Sequence, residues 1–99
     1  MRIAVGPTCQ VVVDKVDGEM LDTIDAVLAQ VADRIERTRK GKVWDIWIGG
    51  RPIHVSVTMS PPEVGLAAGC KGREDYDLLS QVGGQLALAL GGVATKPVK

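Results

Sequence analysis

Asp45, His54 and Ser56 are the residues of this chain whose types suit nucleophilic chemistry, in which a carboxylate orients an imidazole and the imidazole takes a proton from a hydroxyl. If residues 43–48 and 51–58 pair across Gly49-Gly50, Asp45 falls opposite His54. Ser56 then lies two positions along the same strand from His54, about 6.5 to 7 Å away by strand rise, and no oxyanion donors are evident. The spacing therefore predicts a cross-strand ion pair on a wet sheet rather than a triad. The single histidine, two distant cysteines and scattered carboxylates supply no metal-ligand spacing. Gly69-Cys70-Lys71-Gly72 ahead of a helix has free amides and a lysine for an anion, but it lacks the spacing of a Walker loop, and Glu74-Asp75 would repel phosphate. It reads as a strand-to-helix turn, and Cys70, in an acidic setting without a nearby histidine in sequence, is not assigned as a nucleophile. The sequence thus assigns no catalytic residue, no metal site and no cofactor, and points away from an enzyme.

The elements that hold these residues belong to one domain, residues 1–99, since a chain of 99 residues encloses one core. Hydrophobic residues at 45% and charged residues at 24% describe a chain that folds. Twelve Lys+Arg against twelve Asp+Glu leave a formal net charge of zero, without the basic surplus that nucleic-acid binding needs. Cys9 and Cys70 form no disulfide framework, the start Met1 to Pro7 lacks a secretory apolar region, and no run approaches the roughly 18 apolar residues of a membrane span. The expectation is a soluble cytoplasmic protein with no membrane partner.

Gln10-Val11-Val12-Val13-Asp14 predicts a first strand, with Ile3-Ala4-Val5 as a possible earlier piece. From Glu19 to Lys40, Met20, Leu21, Ile24, Val27, Leu28, Val31 and Ile35 recur at helical spacing. Asp17 or Gly18 would cap that helix and Gly41 would close it. Acidic residues crowd its first turns, while Arg34, Arg37, Arg39 and Lys40 would sit at its end, as the helix dipole favours. Residues 43–48 and 51–58 predict a hairpin around Gly49-Gly50 that sends Trp44, Ile46, Ile53 and Val55 to one side. Val43, Asp45, Trp47, Pro52, His54 and Ser56 go to the other. Glu63 to Ala68 is a third meander strand, Arg73 to Leu90 a second helix with Tyr76, Leu79, Val82, Leu86 and Leu90 inward, and Val93 to Val98 a last strand suited by Pro97 to an edge. Gly83-Gly84 inside the second helix predicts close packing on the sheet.

The order β-α-β-β-β-α-β predicts an α+β two-layer sandwich, a mainly antiparallel sheet with both helices on one face, ferredoxin-like or related. One face of the sheet is then left to water or to a partner. Trp47 on that face, with Asp45, His54 and Ser56 beside it and Arg51 as a rim charge, has the aromatic-plus-polar character of a partner-binding surface. Covering of Trp47 by a loop or by the side chains around it is the structural alternative.

The segment Gly69-Cys70-Lys71-Gly72-Arg73-Glu74-Asp75-Tyr76-Asp77-Leu78-Leu79, followed by Leu90-Gly91-Gly92-Val93, resembles a pattern in small bacterial proteins of uncharacterised families. In those, a Gly-Cys-Asn-like turn, an acid-plus-aromatic or acid-plus-His helix start and a Leu-Gly-Gly ending mark the second helix and last strand; here Lys71 stands where Asn is commoner. Some of them are regarded as immunity proteins of polymorphic toxin systems, which bind and block a partner toxin. The resemblance covers the last third of the chain and implies a shared α+β frame more than a shared activity, because fold does not fix function. The open sheet face with Trp47 and the missing catalytic constellation make the sequence reading a small protein-binding module, an immunity-type inhibitor. The alternative is a ligand-binding or enzymatic ferredoxin-like domain that homodimerises through its sheet and binds a small ligand or substrate at the seam.

Overall fold

Gly49 and Gly50 take φ of 58° and 80°, the left-handed pair that a two-residue hairpin turn requires and that side chains resist. Around them the computed structural model, which describes residues 7–37, 42–68 and 73–95, builds eight elements. In chain order these are β1 (Thr8–Val12), α1 (Gly18–Val31), β2 (Arg34–Arg37), β3 (Val43–Ile48), β4 (Arg51–Met59), β5 (Pro62–Ala68), α2 (Arg73–Leu90) and β6 (Val93–Ala94). The strands form one antiparallel sheet in the order β2-β3-β4-β5-β1-β6. β1 and β5 run oppositely, and their helical connections cross the sheet in opposite directions. Two crossovers of the same hand therefore place α1 and α2 in one layer.

The hairpin has the register expected from its sequence, with Trp44 opposite Val55, Asp45 opposite His54, Ile46 opposite Ile53 and Trp47 opposite Pro52. Pro52 has no N–H, and it lies just beyond the β4–β5 ladder, which begins at Ile53 and Ala68. The inward residues of four strands, among them Val11, Trp44, Ile46, Val55, Val64 and Leu66, meet Met20, Ile24 and Leu28 of α1 and Leu79, Val82 and Leu86 of α2 in one core. Each helix buries one stripe, and the far side of the sheet has no helix against it among the described residues.

Residues 34–37 correct the sequence reading, for they are a strand and not the end of a helix that runs to Lys40. Helix α1 stops at Val31: Ala32 turns extended at φ −94° and ψ 143°, and its N–H makes the last helical bond to Leu28 O. The Asp33 N–H then donates to Trp47 O at 2.8 Å, and Arg34–Arg37 continue the pairing with Trp47–Trp44. Ile35 is inward under either periodicity, four residues after Val31 on a helix or opposite Ile46 on a strand, so its spacing does not discriminate the two. The last turn of α1 has no basic residue, and Gly41, outside the described residues with Arg39 and Lys40, lies ten positions past the helix. The sheet accordingly has six strands instead of the expected five.

Smaller differences follow. The first strand is Thr8–Val12 instead of 10–14, with Val13 still buried beyond its end. Ile3-Ala4-Val5, Gly69-Cys70-Lys71-Gly72 and Pro97 lie outside the described residues. The last strand pairs Val93 and Ala94 with Val12 and Val11 at the sheet edge. Helix α2 has the expected bounds but turns Asp75 inward and leaves Tyr76 half-buried. Asp17 caps α1, its Oδ1 accepting the Met20 N–H at 2.9 Å.

Two experiments test these local causes. A methyl group at Gly83 would lie 2.9 Å from Cys9 Sγ, whereas one at Gly84 meets nothing within 4 Å. Gly84→Ala should therefore raise stability by about 0.5 to 1 kcal/mol in urea unfolding, and Gly83→Ala should lose that gain to the clash. The bond from Met20 N–H holds the Asp17 carboxyl below its usual range, so its contribution is present above pH ~4 and lost as pH falls through the lowered value. Melting curves should show a steeper acid loss in the wild type than in Asp17→Asn, which keeps the cap without the charge.

Candidate functional site

Alternation along the paired strands fixes what the bare face of the sheet displays. Arg34 and Glu36 come from β2, Val43, Asp45 and Trp47 from β3, Pro52, His54, Ser56 and Thr58 from β4, and Glu63, Gly65 and Ala67 from β5. Thr8, Gln10 and Val12 of β1 and Val93 of β6 complete it. The centre is low, made by Ser56, Gly65 and Ala67, while the larger side chains stand toward the edges. Val12 and Val93, paired across β1 and β6, are 49% and 70% exposed, so one corner is openly apolar.

Trp47 occupies the other corner and is half-buried. The Arg34 guanidinium lies over its ring, 4.6 Å from the centroid, and also pairs with Glu36 at 2.5 Å. The cation covers one face of the indole and leaves the ring part of the surface. Trp44 is its mirror on the helix side: fully buried, with Arg37 5.0 Å from its centroid and its indole N–H donating to Asp25 Oδ1 at 2.9 Å. Strand β2, absent from the sequence reading, thus supplies the neighbours of both tryptophans. The alternation Arg-Ile-Glu-Arg at 34–37 was the available signal, hidden because Ile35 also fits the helical stripe.

His54 and Asp45 meet as expected, Nδ1 to Oδ1 at 2.8 Å, with both side chains about half exposed. Ser56 is registered with Val43 and Gly65, one row further along the sheet from the His54 pair. Arg51 stands apart from the other four sequence-predicted residues. It lies opposite Ile48 on the helix side and binds the start of α2, reaching Asp75 Oδ1 at 3.1 Å and Glu74. The Asp75 side chain is 2% exposed, so Arg51 compensates a buried carboxylate and ties the hairpin to α2. The expected rim charge is an anchor between layers.

Burial pushes the Cys9 thiol above its ordinary range, and its Sγ lies 3.9 Å from Leu79 O. Among the described residues no group of three or more His, Cys, Asp or Glu side chains is placed to hold a metal ion. A concavity of about 350 Å³ between the start of α1 and the end of α2, lined in part by Asp14, Lys15, Met20, Thr23 and Leu90, belongs to the helical layer and not to the bare face. No described helix is long and apolar enough to cross a membrane. Comparison with protein families, with curated proteins and with solved structures finds no match to this chain.

The role given to Arg34 is open to measurement. In a Trp44→Phe background, Arg34→Ala should uncover Trp47 and increase acrylamide quenching of its emission, while unfolding free energy changes by less than about 1 kcal/mol, the range of an exposed cation–π contact.

Proposed function

We propose that this chain is a small protein-binding module whose bare sheet face covers a basic surface of a partner protein, in the manner of an immunity-type inhibitor. The observation that carries the reading is the make-up of that face: a half-buried tryptophan at one corner, an exposed valine pair at the other, and Glu36, Asp45 and Glu63 against the single cation Arg34 among its described residues. An indole held by its neighbours supplies contact area at small entropy cost, and the surplus carboxylates steer a basic partner. The same surplus disfavours packing two such faces together, so a sheet-to-sheet homodimer with a ligand at its seam is the weaker occupant.

The resemblance of residues 69–79 and 90–93 to proteins that include immunity proteins points the same way. The βα and αβ ends around a strand meander are those of a ferredoxin-like relative with a longer meander, and that kinship is part of the proposal. So is a reducing cytoplasm, where a thiol such as Cys9 stays free.

The test is a comparison of faces. Immobilised protein is exposed to native lysate, the retained protein is identified, and its affinity is measured for the wild type, Trp47→Ala and Leu88→Ala, the last on the outer side of α2 where Leu88 is 87% exposed. The reading expects a basic protein whose binding weakens about thirtyfold with Trp47→Ala, the size of a hot-spot loss, and does not change with Leu88→Ala. An acidic partner, a second copy of this chain bound through the face, or equal binding by both variants would overturn it.

A further inference from the structure

The sheet ends at β2, and its outer side meets no other strand among the described residues. The five residues Asp33-Arg34-Ile35-Glu36-Arg37 read backwards with every charge inverted about Ile35. Charged side chains on an edge strand ordinarily prevent pairing between copies, because like charges meet. Here an antiparallel copy turned about Ile35 brings opposite charges together: Arg34 faces Glu36 of the second copy, Glu36 faces its Arg34, and Ile35 faces Ile35.

The backbone is arranged for the same pairing. Trp47 O accepts from the Asp33 N–H, so the peptide groups of Trp47 point at β2, whereas Lys42 O accepts from Val57, so the alternate positions of that strand point at β4. By this alternation Arg34 and Glu36, registered with Trp47 and Asp45, direct their peptide groups at β3, and Ile35 directs its N–H and C=O outward. Two Ile35 residues on a two-fold axis then exchange both bonds. Arg34 and Glu36 project on the bare face with side chains 65% and 54% exposed, within reach of their counterparts.

We propose that β2 pairs antiparallel with β2 of a second copy about a two-fold axis at Ile35, joining two six-stranded sheets into one. The bare faces become continuous across the seam. The two Trp47 residues lie on the same side, three strand spacings apart across the seam and two residues offset along it, about 16 Å from each other. The seam uses the sheet edge and leaves the face itself uncovered, so this pairing and the docking reading fail independently.

Sedimentation velocity on the full chain tests it, over about two decades of concentration reaching ~0.5 mM, because small interfaces dissociate in the micromolar to millimolar range. Wild-type protein should pass from monomer to dimer. Arg34→Glu alone places carboxylates against Glu36 across the axis, and Glu36→Arg alone places guanidinium groups against Arg34. Each should weaken association at least about tenfold, as juxtaposed like charges do. An equimolar mixture of the two variants restores opposite charges at both positions and should associate as a heterodimer at least as well as the wild type. Circular dichroism confirms that each variant is folded. A wild type that stays monomeric, association indifferent to either reversal, or a mixture no better than its components would each overturn the pairing.

Discussion

The left-handed turn at Gly49-Gly50 is the constraint on which the other features of this molecule depend. A two-residue loop with positive φ at both positions matches the twist of the strands it joins and fixes their register without slack. Because side chains alternate with a period of two, a shift of one residue would exchange the faces of every residue on the hairpin. The turn therefore decides that Trp44 enters the core and Trp47 leaves it. It also decides which peptide groups of β3 point at β4 and which remain for β2.

Strand β2 is a consequence of that choice. Without it β3 would be an edge, with the peptide groups of Trp47 and Asp45 unpaired and both indoles short of neighbours. The chain leaves α1 at Ala32 and meets this requirement with Asp33, whose N–H binds Trp47 O and whose carboxylate accepts the Gly49 N–H at 2.7 Å. Arg34 then lies on one indole and Arg37 on the other, from opposite sides of the same strand. The contact of Arg34 with half-buried Trp47 is worth about 0.5 to 1 kcal/mol and that of Arg37 with buried Trp44 about 2 kcal/mol, so neither alone makes the strand. Together with four paired residues and the Asp33 bonds they outweigh the continuation of a helix whose one further apolar residue, Ile35, is packed against the core by the strand as well.

The two layers are also joined by charge. Arg51, adjacent to the glycine turn, reaches the buried Asp75 in the first turns of α2, so the same hairpin that orients the tryptophans anchors the second helix. Asp75 takes an inward place that apolar spacing would have given to Tyr76, and it does so because a guanidinium waits there. The bare face holds the ion pair of Arg34 with Glu36 and the hydrogen-bonded pair of His54 with Asp45 around a centre of small residues.

How much of this was legible depends on whether the cause is local. The hairpin register, the bounds of α2, the inward set of β5 and the presence of Trp47 on the uncovered face are all readable from sequence, since a glycine pair and strict alternation leave one consistent solution. The candidate surface was legible to the same extent: Trp47, Asp45, His54 and Ser56 share the face, while Arg51 is drawn away by a carboxylate 24 positions along the chain. Residues 34–37 were not legible, because Ile35 satisfies a helical and an extended pattern equally and arginine is a good helix former. The sequence by itself determined an α+β chain with one turn that sorts two tryptophans. Only the tertiary structure decided that a charged segment becomes the sixth strand, because the unpaired edge of β3 that selects it exists only after the hairpin has formed.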